Sequence, residues 1–389
     1  MNFLNLFFKL RRSLILFSSS HKVWQFPSKC DIVIYDECGT EVLTPYFNNH
    51  SFNVLPTRGE SYNMPCLLIA TLTFLLRGDS VFSAYSDIFI KFCSPKLVVT
   101  CIDNNSEFYK ISSRHHNLQT MFIQNGARGI SGDVFESILS NKKFHVDYML
   151  VFGSAIGNLY SKYISGSVLP VGSLKNNYFQ QSCPVNKNRV LFISQFRRKP
   201  DNNLFYTDSN GPIYWSDFYK AEQIIVPYLE NWCFQNKKIL QVCGVDSENM
   251  YAEKQFYNKL LKLKSSEYIP SSGIYSGYQL VDSAEIVVFI DSTLGYESLA
   301  RGQKTASFSC RLYGLLPLFN AFGWPADLPN SGPFWTNDLD VVEFNRIMDF
   351  LDSVSNEEWS DLLLSYTTRL INFDAGNTVL VDLIETILS

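Results

Sequence analysis

The stretch AEIVVFIDSTLGYESLARGQKTASFS, residues 284–309, decides the fold. It begins with an apolar run dense in β-branched residues at 286–290 and continues with three polar residues at 291–293. A helix-like segment then ends at Gly302, before a second strand-like run. This order predicts a strand, a helix and a second, parallel strand, which is the repeating unit of α/β proteins.

The start of the predicted helix is a candidate anion site. It falls at the carboxyl end of a strand, where open α/β sheets bind ligands, and the N–H groups of a helix N-terminus favour phosphate. Thr293 and Glu297 are four residues apart and share one helix face, so the hydroxyl could hold phosphate and the carboxylate a ribose diol. The alternative is structural: Ser292 or Thr293 caps the helix, and Glu297 complements its dipole.

Length and composition limit the classes of protein to which this chain can belong. A chain of 389 residues is long enough for two domains with a buried core in each. Hydrophobic residues make up 46% of the chain and charged residues 18%, which is typical of a globular protein. The formal net charge of -4 gives no overall attraction to nucleic acid, so we expect no nucleic-acid partner and only a local anion site.

The cysteines and histidines indicate a reducing compartment and no metal centre. The nine cysteines are scattered, odd in number and free of any CxxC pair, so we interpret them as buried free thiols. All five histidines lie in the first half of the chain, and no HExxH motif is present. We therefore expect a cytoplasmic protein without a metal site.

The N-terminus has two interpretations. No apolar run reaches the roughly 18 to 20 residues that a membrane-spanning helix needs. Residues 1–20 interleave phenylalanines and leucines with Lys9, Arg11 and Arg12, whereas a signal peptide places its basic residues ahead of the apolar core. The segment is either a basic amphipathic helix on the cytoplasmic face of the inner membrane or a first helix packed on its own domain.

Strand and helix patterns alternate through residues 1–174, which we predict to form an N-terminal Rossmann-like domain. Strands are predicted at 32–35, 52–55 and 97–102, each followed by a polar loop, and further strand and loop pairs occur in TMFIQNGARG and VDYMLVFG. This alternation is what a doubly wound α/β domain requires.

The alternation of strand and helix patterns stops at residue 175 and begins again at residue 189. Residues 175–188, KNNYFQQSCPVNKN, are polar and predict a linker. Residues 189–389 repeat the α/β pattern and predict a second domain, with the last helix a candidate to pack back on the first domain. This domain contains the candidate anion site, so it would be the one to bind the nucleotide of a nucleotide-sugar enzyme. The predicted fold class is α/β, with two doubly wound, Rossmann-like domains facing a central cleft.

A basic triplet follows the first strand of the predicted second domain. Arg197, Arg198 and Lys199 come at the carboxyl end of that strand, so they could face the cleft and neutralise a leaving phosphate. The alternative for each is a solvated basic turn. The chain has neither a complete dinucleotide fingerprint nor a GxxxxGK[ST] loop, which argues against a nicotinamide enzyme and a P-loop kinase.

Carboxylates in the first half are candidates for a general base. Asp103 ends the strongest predicted strand of that half, and Glu37 and Glu60 lie in loops after earlier strands. Any of the three could take a proton from an acceptor hydroxyl across the cleft, with Asp103 the first choice. For each one, a role as a loop cap or turn former is the alternative.

Residues 291–308, DSTLGYESLARGQKTASF, resemble the donor-site segment of GT-B glycosyltransferases, in which a strand leads to a small polar loop and a helix bearing a glutamate. The wider set DIVIYDECGTE, TRGES, FIQNGARG, FGSAIGN, LPVGS and GPFWTN resembles bacterial surface-carbohydrate and O-antigen biosynthesis proteins of this fold. The resemblance covers most of the chain from residue 30 to residue 335.

The resemblance implies site roles. Ser292, Thr293 and Leu294 would contact the donor phosphate, Glu297 would hold the ribose, and the basic triplet at 197–199 would contact the phosphates. The chain departs from the commonest retaining members of the fold, because Thr293 stands four residues before Glu297 where those members have a second glutamate. The resemblance also implies that no metal or other cofactor is needed, in line with the lack of a DxD motif in the first half.

The function that the resemblance implies is sugar transfer. The donor would be a CMP-, UDP- or GDP-linked sugar, and the acceptor a glycan or lipid-linked glycan of an O-antigen, capsule or lipopolysaccharide, reached on the cytoplasmic side of the inner membrane. Two alternatives remain at this point. One is a nucleotide-sugar epimerase of the same fold, and the other is a non-catalytic GT-B-like binding subunit.

Overall fold

The computed structural model describes residues 17–47, 49–77, 80–129, 135, 144–180, 184–208, 211–245, 248–273, 275–312 and 321–389. The strands within these ranges, in chain order, are β1 His21–Val23, β2 Ile32–Tyr35, β3 Phe52–Leu55, β4 Ser61–Asn63, β5 Leu97–Thr100, β6 Gln119–Ile123, β7 Phe144–Val151, β8 Ile164–Pro170, β9 Asn186–Ile193, β10 Leu204–Asp208, β11 Gly211–Tyr214, β12 Ile239–Cys243, β13 Ser266–Ile269, β14 Ala284–Phe289, β15 Lys304–Phe308 and β16 Trp335–Thr336.

The helices connect these strands and cover the sheets. In chain order they are α1 Thr40–Leu43, α2 Met64–Arg77, α3 Val81–Cys93, α4 Ile111–Arg114, α5 Ser154–Tyr160, α6 Leu174–Tyr178, α7 Trp215–Phe218, α8 Lys220–Gln235, α9 Met250–Leu260, α10 Ser276–Ser283, α11 Thr293–Ala300, α12 Val341–Ser353, α13 Asn356–Leu370 and α14 Thr378–Leu388. Short 3-10 turns lie at Thr44–Tyr46, Phe108–Lys110 and Cys310–Leu312.

Two six-stranded parallel sheets form the frame of the molecule. The first has the strand order β3-β2-β5-β6-β7-β8, and the second has the order β13-β12-β9-β14-β15-β16. Numbered along the chain, the second order is 3-2-1-4-5-6, the doubly wound arrangement of Rossmann folds. The order reverses between β2 and β5 in the first sheet and between β9 and β14 in the second. The predicted fold class, an α/β chain with two doubly wound domains, is confirmed.

The central strands are buried on both faces. All four residues of β2 are buried, as are residues 286–289 of β14. Because helices cover both faces of a parallel sheet, its strands are nearly continuous apolar runs. Polar residues therefore begin where the strands end, with Asp36 directly after β2 and Asp291 two residues after β14. This arrangement concentrates polar side chains at the carboxyl edges of the sheets.

The last helix packs on the first sheet. In α14, Leu380, Ile384 and Leu388 are spaced by four residues, so they share one face, and they are buried in a cluster with Ile34 and Val99. The segment predicted as a linker, 175–188, overlaps α6 and the first residues of β9. The predicted N-terminal helix lies, up to residue 16, outside the described residues. Among the described residues, no helix combines the length and the apolar character needed to cross a membrane.

Candidate functional site

A cavity of about 200 Å³ lies between the carboxyl edges of the two sheets. Residues that follow strands of both domains line it, among them Gln124 after β6, Phe152 after β7, Asp291 after β14 and Ser309 after β15. Open α/β sheets bind ligands at this edge. The cavity is therefore the candidate site, and its polar side chains are Gln124, Arg128, Asp291, Tyr296, Ser309, Arg311 and Arg369.

On the first-domain wall, Asp103 fixes Arg128. The Asp103 carboxylate is fully buried and accepts hydrogen bonds from Arg128 Nε at 2.8 Å and from the Tyr160 hydroxyl at 2.7 Å. Arg128 also donates to the other carboxylate oxygen through Nη2. Burial raises the pKa of Tyr160 well above its usual value, so its hydroxyl remains a proton donor. Asp103 thus holds a guanidinium at the cavity wall, and both of its own oxygens are engaged.

Gln124 shapes the loop that carries Arg128. Its side-chain oxygen accepts the Phe152 N–H at 2.8 Å, and its side-chain nitrogen donates to the Gly126 carbonyl at 2.8 Å. The loop then reaches the second domain, where the Ala127 N–H donates to Thr293 Oγ1 at 3.0 Å. A Cβ added to Gly126 would lie only 3.3 Å from that hydroxyl oxygen. The two domains are therefore in direct contact at the edge of the cavity.

The second-domain wall carries a charged triad in which Arg311 and Glu222 are buried and Asp291 is partly exposed. Arg311 donates from Nε to Asp291 Oδ2 at 2.7 Å and from Nη1 and Nη2 to the Glu222 carboxylate at 2.9 and 2.5 Å. Burial by itself would lower the pKa of Arg311, but the charges of Asp291 and Glu222 outweigh it and raise that pKa. Burial also raises the pKa of Glu222, the more deeply buried of the two carboxylates.

One carboxylate oxygen of that triad could accept a hydrogen bond from a ligand. Asp291 Oδ1 is buried and has no hydrogen-bond partner among the described residues. A buried carboxylate oxygen without a donor is costly, so a hydrogen bond from a hydroxyl group to it would be favourable. Because Asp291 lines the cavity, a ligand hydroxyl there could supply that hydrogen bond.

Arg369 differs from the other two cavity arginines. It donates through Nη2 to the Ala326 carbonyl, and no carboxylate in the described ranges lies within 4 Å of its guanidinium nitrogens. The remaining walls are largely apolar, with Phe152, Trp324 and Leu370. An apolar cavity with a few convergent charged groups is the usual form of a small-molecule site.

The predicted donor residues lie beside the cavity rather than on its wall. Thr293 accepts the Ala127 N–H, and Leu294 packs so closely on Gly277 that a Cβ there would lie 2.8 Å from it. Ser292 is buried and makes no side-chain cap at the start of α11. These residues lie where the strand order of the second sheet reverses, which is a usual place for a nucleotide. Their contacts with the donor phosphate stay predictions.

Glu297 is buried in the interface between the domains. Its carboxylate accepts a hydrogen bond from the hydroxyl of Ser173, in the connection between β8 and α6. Burial raises the pKa of Glu297, although the hydrogen bonds from Ser173 and Tyr278 oppose that shift. In this arrangement the carboxylate faces the first domain rather than the cavity.

The basic triplet lies outside the cavity. Arg197, Arg198 and Lys199 are exposed, and their closest ring contacts are with Phe205, 5.9 Å from the Arg197 guanidinium, and Trp215, 5.8 Å from Lys199 Nζ. Arg198 and Lys199 line a separate groove of about 500 Å³. The expectation that the triplet faces the cleft is therefore not met in this arrangement, and its role in donor binding stays a prediction.

Glu37 and Glu60 are likewise away from the cavity. Both side chains are exposed, and Glu60 accepts the Arg58 N–H at 3.0 Å. Neither lines the cavity, so a direct role at its walls would need the domains to move. No cluster of three or more His, Cys, Asp or Glu side chains able to hold a metal ion is found in the described part of the chain.

Sequence reasoning missed the charged groups of the cavity walls. Arg128, Arg311 and Arg369 were not singled out, and Asp291 was treated only as part of a polar loop. A usable signal was present for two of them, because Asp291 and Arg311 each come two or three residues after a buried strand of one parallel sheet. Arg369 ends a helix far along the chain, and no local pattern connects it to the others.

Solved structures resemble this chain over nearly all of its length. The UDP-GlcNAc 2-epimerase from Methanocaldococcus jannaschii aligns with 91% of this chain and 99% of its own, at 11% identity and a TM-score of 0.51. The Neisseria meningitidis UDP-GlcNAc 2-epimerase bound to UDP-GlcNAc gives 9% identity, coverage of 91% and 99%, and a TM-score of 0.52. The wall teichoic acid polymerase TagF gives 11% identity, coverage of 92% and 89%, and a TM-score of 0.48.

Identities this low show the fold alone, and that fold is the two-domain GT-B arrangement. A comparison with curated proteins gave no match. A family model described as "putative O-antigen biosynthesis protein" matches residues 121–388, which is more than half of the chain. That match confirms the predicted resemblance, and the chain is a member of this O-antigen biosynthesis protein family.

Proposed function

We propose that this chain is a glycosyltransferase that moves a sugar from a nucleotide-sugar donor to an O-antigen or related surface-polysaccharide acceptor. Membership of the O-antigen biosynthesis protein family supports a role in making a surface polysaccharide. The observation that carries the chemistry is the interdomain cavity, where Asp291, whose Oδ1 has no hydrogen-bond partner in the described part of the chain, lies among arginine side chains from both domains.

The donor nucleotide would lie against the second domain. The second sheet reverses its strand order between β9 and β14, and residues 291–294 follow β14 at that point. Rossmann-like sheets hold nucleotides at such a switch point, with phosphate at a helix N-terminus. The start of α11 at Ser292, Thr293 and Leu294 is therefore the proposed phosphate site. Opening of the Ala127–Thr293 contact would expose it.

Arg369 is the group best placed to neutralise the leaving phosphate. Arg128 and Arg311 are already bound by carboxylates, so their charge is largely balanced before a ligand arrives. Arg369 donates only to a backbone carbonyl in the described contacts and lines the same cavity. A guanidinium aimed at a developing negative charge stabilises the transition state, most strongly where water is excluded.

Asp291 is the proposed general base. Sugar transfer requires the acceptor hydroxyl to lose its proton as the bond to the donor sugar forms, and a base must lie within hydrogen-bond reach. Asp291 lines the cavity, and its Oδ1 is buried without a hydrogen-bond partner among the described residues, whereas both oxygens of Asp103 are occupied by Arg128 and Tyr160. Asp103 would then act through Arg128, as the residue that holds the guanidinium in place.

The proposal includes no metal and no cofactor beyond the nucleotide-sugar substrate, which could be CMP-, UDP- or GDP-linked. It places the reaction in the cytoplasm, because all the described cysteines are free thiols, as expected in a reducing compartment. The acceptor would be a glycan or a lipid-linked glycan that enters from the first-domain side of the cavity.

Two assays test the proposal in order. A thermal-shift screen against CMP, UDP, GDP and their sugars identifies the donor, because a ligand that binds only the folded chain raises its melting temperature. Nucleotide release from that donor is then measured with and without glycan acceptor. A transferase releases nucleotide at full rate only with acceptor. Conversion of the free sugar nucleotide without acceptor would show an epimerase, and stabilisation without any turnover would show a binding subunit.

A further inference from the structure

Helix α2 presents an apolar face to solvent. Its sequence, MPCLLIATLTFLLR, has no charged residue before Arg77. One side packs on the core, yet Leu68, Leu72 and Leu75 on the other side are 57%, 61% and 70% exposed. Their spacing of four and three residues places them on one face. A helix that is apolar on all sides is normally found in a protein core or in lipid. We therefore expect a membrane or another protein surface to cover this exposed row of leucines.

Other exposed apolar side chains adjoin this row. Leu76 at the end of α2 is 86% exposed, and Trp24 is 69% exposed. Trp24 follows β1, which pairs in parallel with β4, and β4 runs directly into α2, so Trp24 lies near the start of the helix. We name Trp24, Leu68, Leu72, Leu75 and Leu76 the α2 surface.

The chain joins a basic segment to this surface. The first 16 residues carry Lys9, Arg11 and Arg12 among phenylalanines and leucines. Phe17, which follows them, packs its ring 5.6 Å from the ring of Tyr62 in β4, directly before α2. This basic stretch of sequence therefore joins the described chain at Phe17, next to the strand that leads into α2. Apolar side chains next to lysines and arginines are the features that bind an anionic bilayer surface.

We propose that the α2 surface docks this protein on an anionic phospholipid bilayer. The helix has 14 residues and is thus about 21 Å long, shorter than the roughly 30 Å hydrocarbon core, so it would lie in the plane of the interface. A second copy and the chain's own first segment are the competing occupants, and if that segment covers the α2 surface, the wild-type chain will not bind anionic vesicles. A twofold contact through the same patch would bring two basic segments together, and like charges oppose that contact. The docking does not depend on the proposed sugar transfer.

Vesicle binding by the full chain tests this inference. The probes are vesicles of phosphatidylglycerol and phosphatidylethanolamine in equal parts and vesicles of phosphatidylcholine alone. We expect the wild-type chain to co-sediment with the anionic vesicles and the Leu72→Gln/Leu75→Gln variant to bind them about tenfold or more weakly, because two apolar side chains are lost from the interface. Leu364→Gln is the control, since Leu364 is 68% exposed on α13, and it should bind like the wild type.

Three results would overturn the inference. One is the absence of wild-type binding to anionic vesicles, and another is equal binding by the double variant. The third is a dimer, seen by light scattering, that the double variant dissociates without a change in vesicle binding, which would make a second copy the occupant. Melting temperatures check that each variant folds. If the double variant precipitates, Leu75→Gln alone provides the test, with a smaller loss of binding expected.

Discussion

At the scale of single residues, the two aspartates that hold arginines at the cavity walls have different surroundings. Both carboxylate oxygens of Asp103 accept hydrogen bonds from Arg128 or Tyr160. Asp291 pairs with Arg311, which also pairs with Glu222, and its Oδ1 has no hydrogen-bond partner among the described residues. In sequence both are simply aspartates near the end of a buried strand. Their partners come from distant parts of the chain, so no local pattern could separate the positioning carboxylate from the available one.

Arg369 gives the first prediction at this scale. We expect Arg369→Gln to lower turnover by about 100-fold, the scale for loss of one group that stabilises transition-state charge, with a smaller change in donor affinity. Folding should be little affected, because the side chain donates only to the Ala326 carbonyl in the described contacts. Steady-state rates measure the effect. Arg346→Gln, at an exposed pair with Glu343, is the matched control, and equal rates in both variants would reject the role of Arg369.

Glu297 gives a prediction about pH. Burial raises its pKa above the ordinary 4.5, so the folded chain holds the proton more tightly than the unfolded chain does. The contribution of this carboxylate to stability is therefore greatest below 4.5 and falls as the pH rises through the folded pKa. Glu297→Gln stays neutral at every pH. We expect its free energy of unfolding, measured in urea, to rise relative to the wild type across that window.

A difference between the two chains that does not vary with pH would contradict this account of Glu297. Titration calorimetry on the same variant tests the separate expectation from the resemblance, that Glu297 holds the donor ribose. A loss of affinity there, beside the pH effect on stability, would assign both roles to this carboxylate. Unchanged affinity would leave it as an interface residue.

At the scale of elements, the periodicity of the sequence located most strands and helices. The strands predicted at 32–35 and 52–55 have the observed bounds. Helix α9 ends at Leu260, and residues 266–269 pair with β12 as an edge strand. Pairing with a distant strand overrides local helix propensity there, and a single sequence does not contain that information.

Helix α11 is anchored by a buried ion pair. Arg301, at its C-cap, donates to both oxygens of Asp282 at 2.6 Å and also to the Phe179 carbonyl at 2.8 Å. Removing one partner of a buried pair leaves the other charge without compensation. We expect Arg301→Ala to lower the free energy of unfolding by about 3–5 kcal/mol, measured in urea.

The control for this prediction is Arg346→Ala, which removes the exposed pair with Glu343 and should cost under about 1 kcal/mol. Equal losses in the two variants would show that the Arg301 pair has no special role. The glycine-ended turn that follows Arg301 was visible in the sequence, but its partner Asp282 in α10 was not singled out.

At the scale of the whole molecule, the two domains are closed on each other. The cavity of about 200 Å³ is smaller than the roughly 300 to 1,000 Å³ of typical ligand sites, so a nucleotide sugar requires the domains to open. The contact between Ala127 and Thr293 is where they would separate. The sequence predicted two doubly wound domains, but the distance between them depends on these contacts between distant parts of the chain.

A reversible cross-link tests this opening. In Gly126→Cys/Thr293→Cys the new thiols would lie within reach, since a Cβ at Gly126 lies 3.3 Å from Thr293 Oγ1. We expect the oxidised variant to lose donor binding and a reductant to restore it, as measured by titration calorimetry. The wild-type chain under the same oxidant is the control. Full donor affinity in the cross-linked form would show that no opening is needed.

The most direct test of the central claim compares two aspartate variants in the acceptor-dependent release of nucleotide. If the sugar is transferred in the interdomain cavity with Asp291 as the base, Asp291→Asn lowers turnover by about 100-fold or more while donor affinity stays near that of the wild type. Asp103→Asn should then act through Arg128, lowering turnover less. Full turnover in Asp291→Asn, with a collapse in Asp103→Asn, would contradict the account and return the base to the first domain.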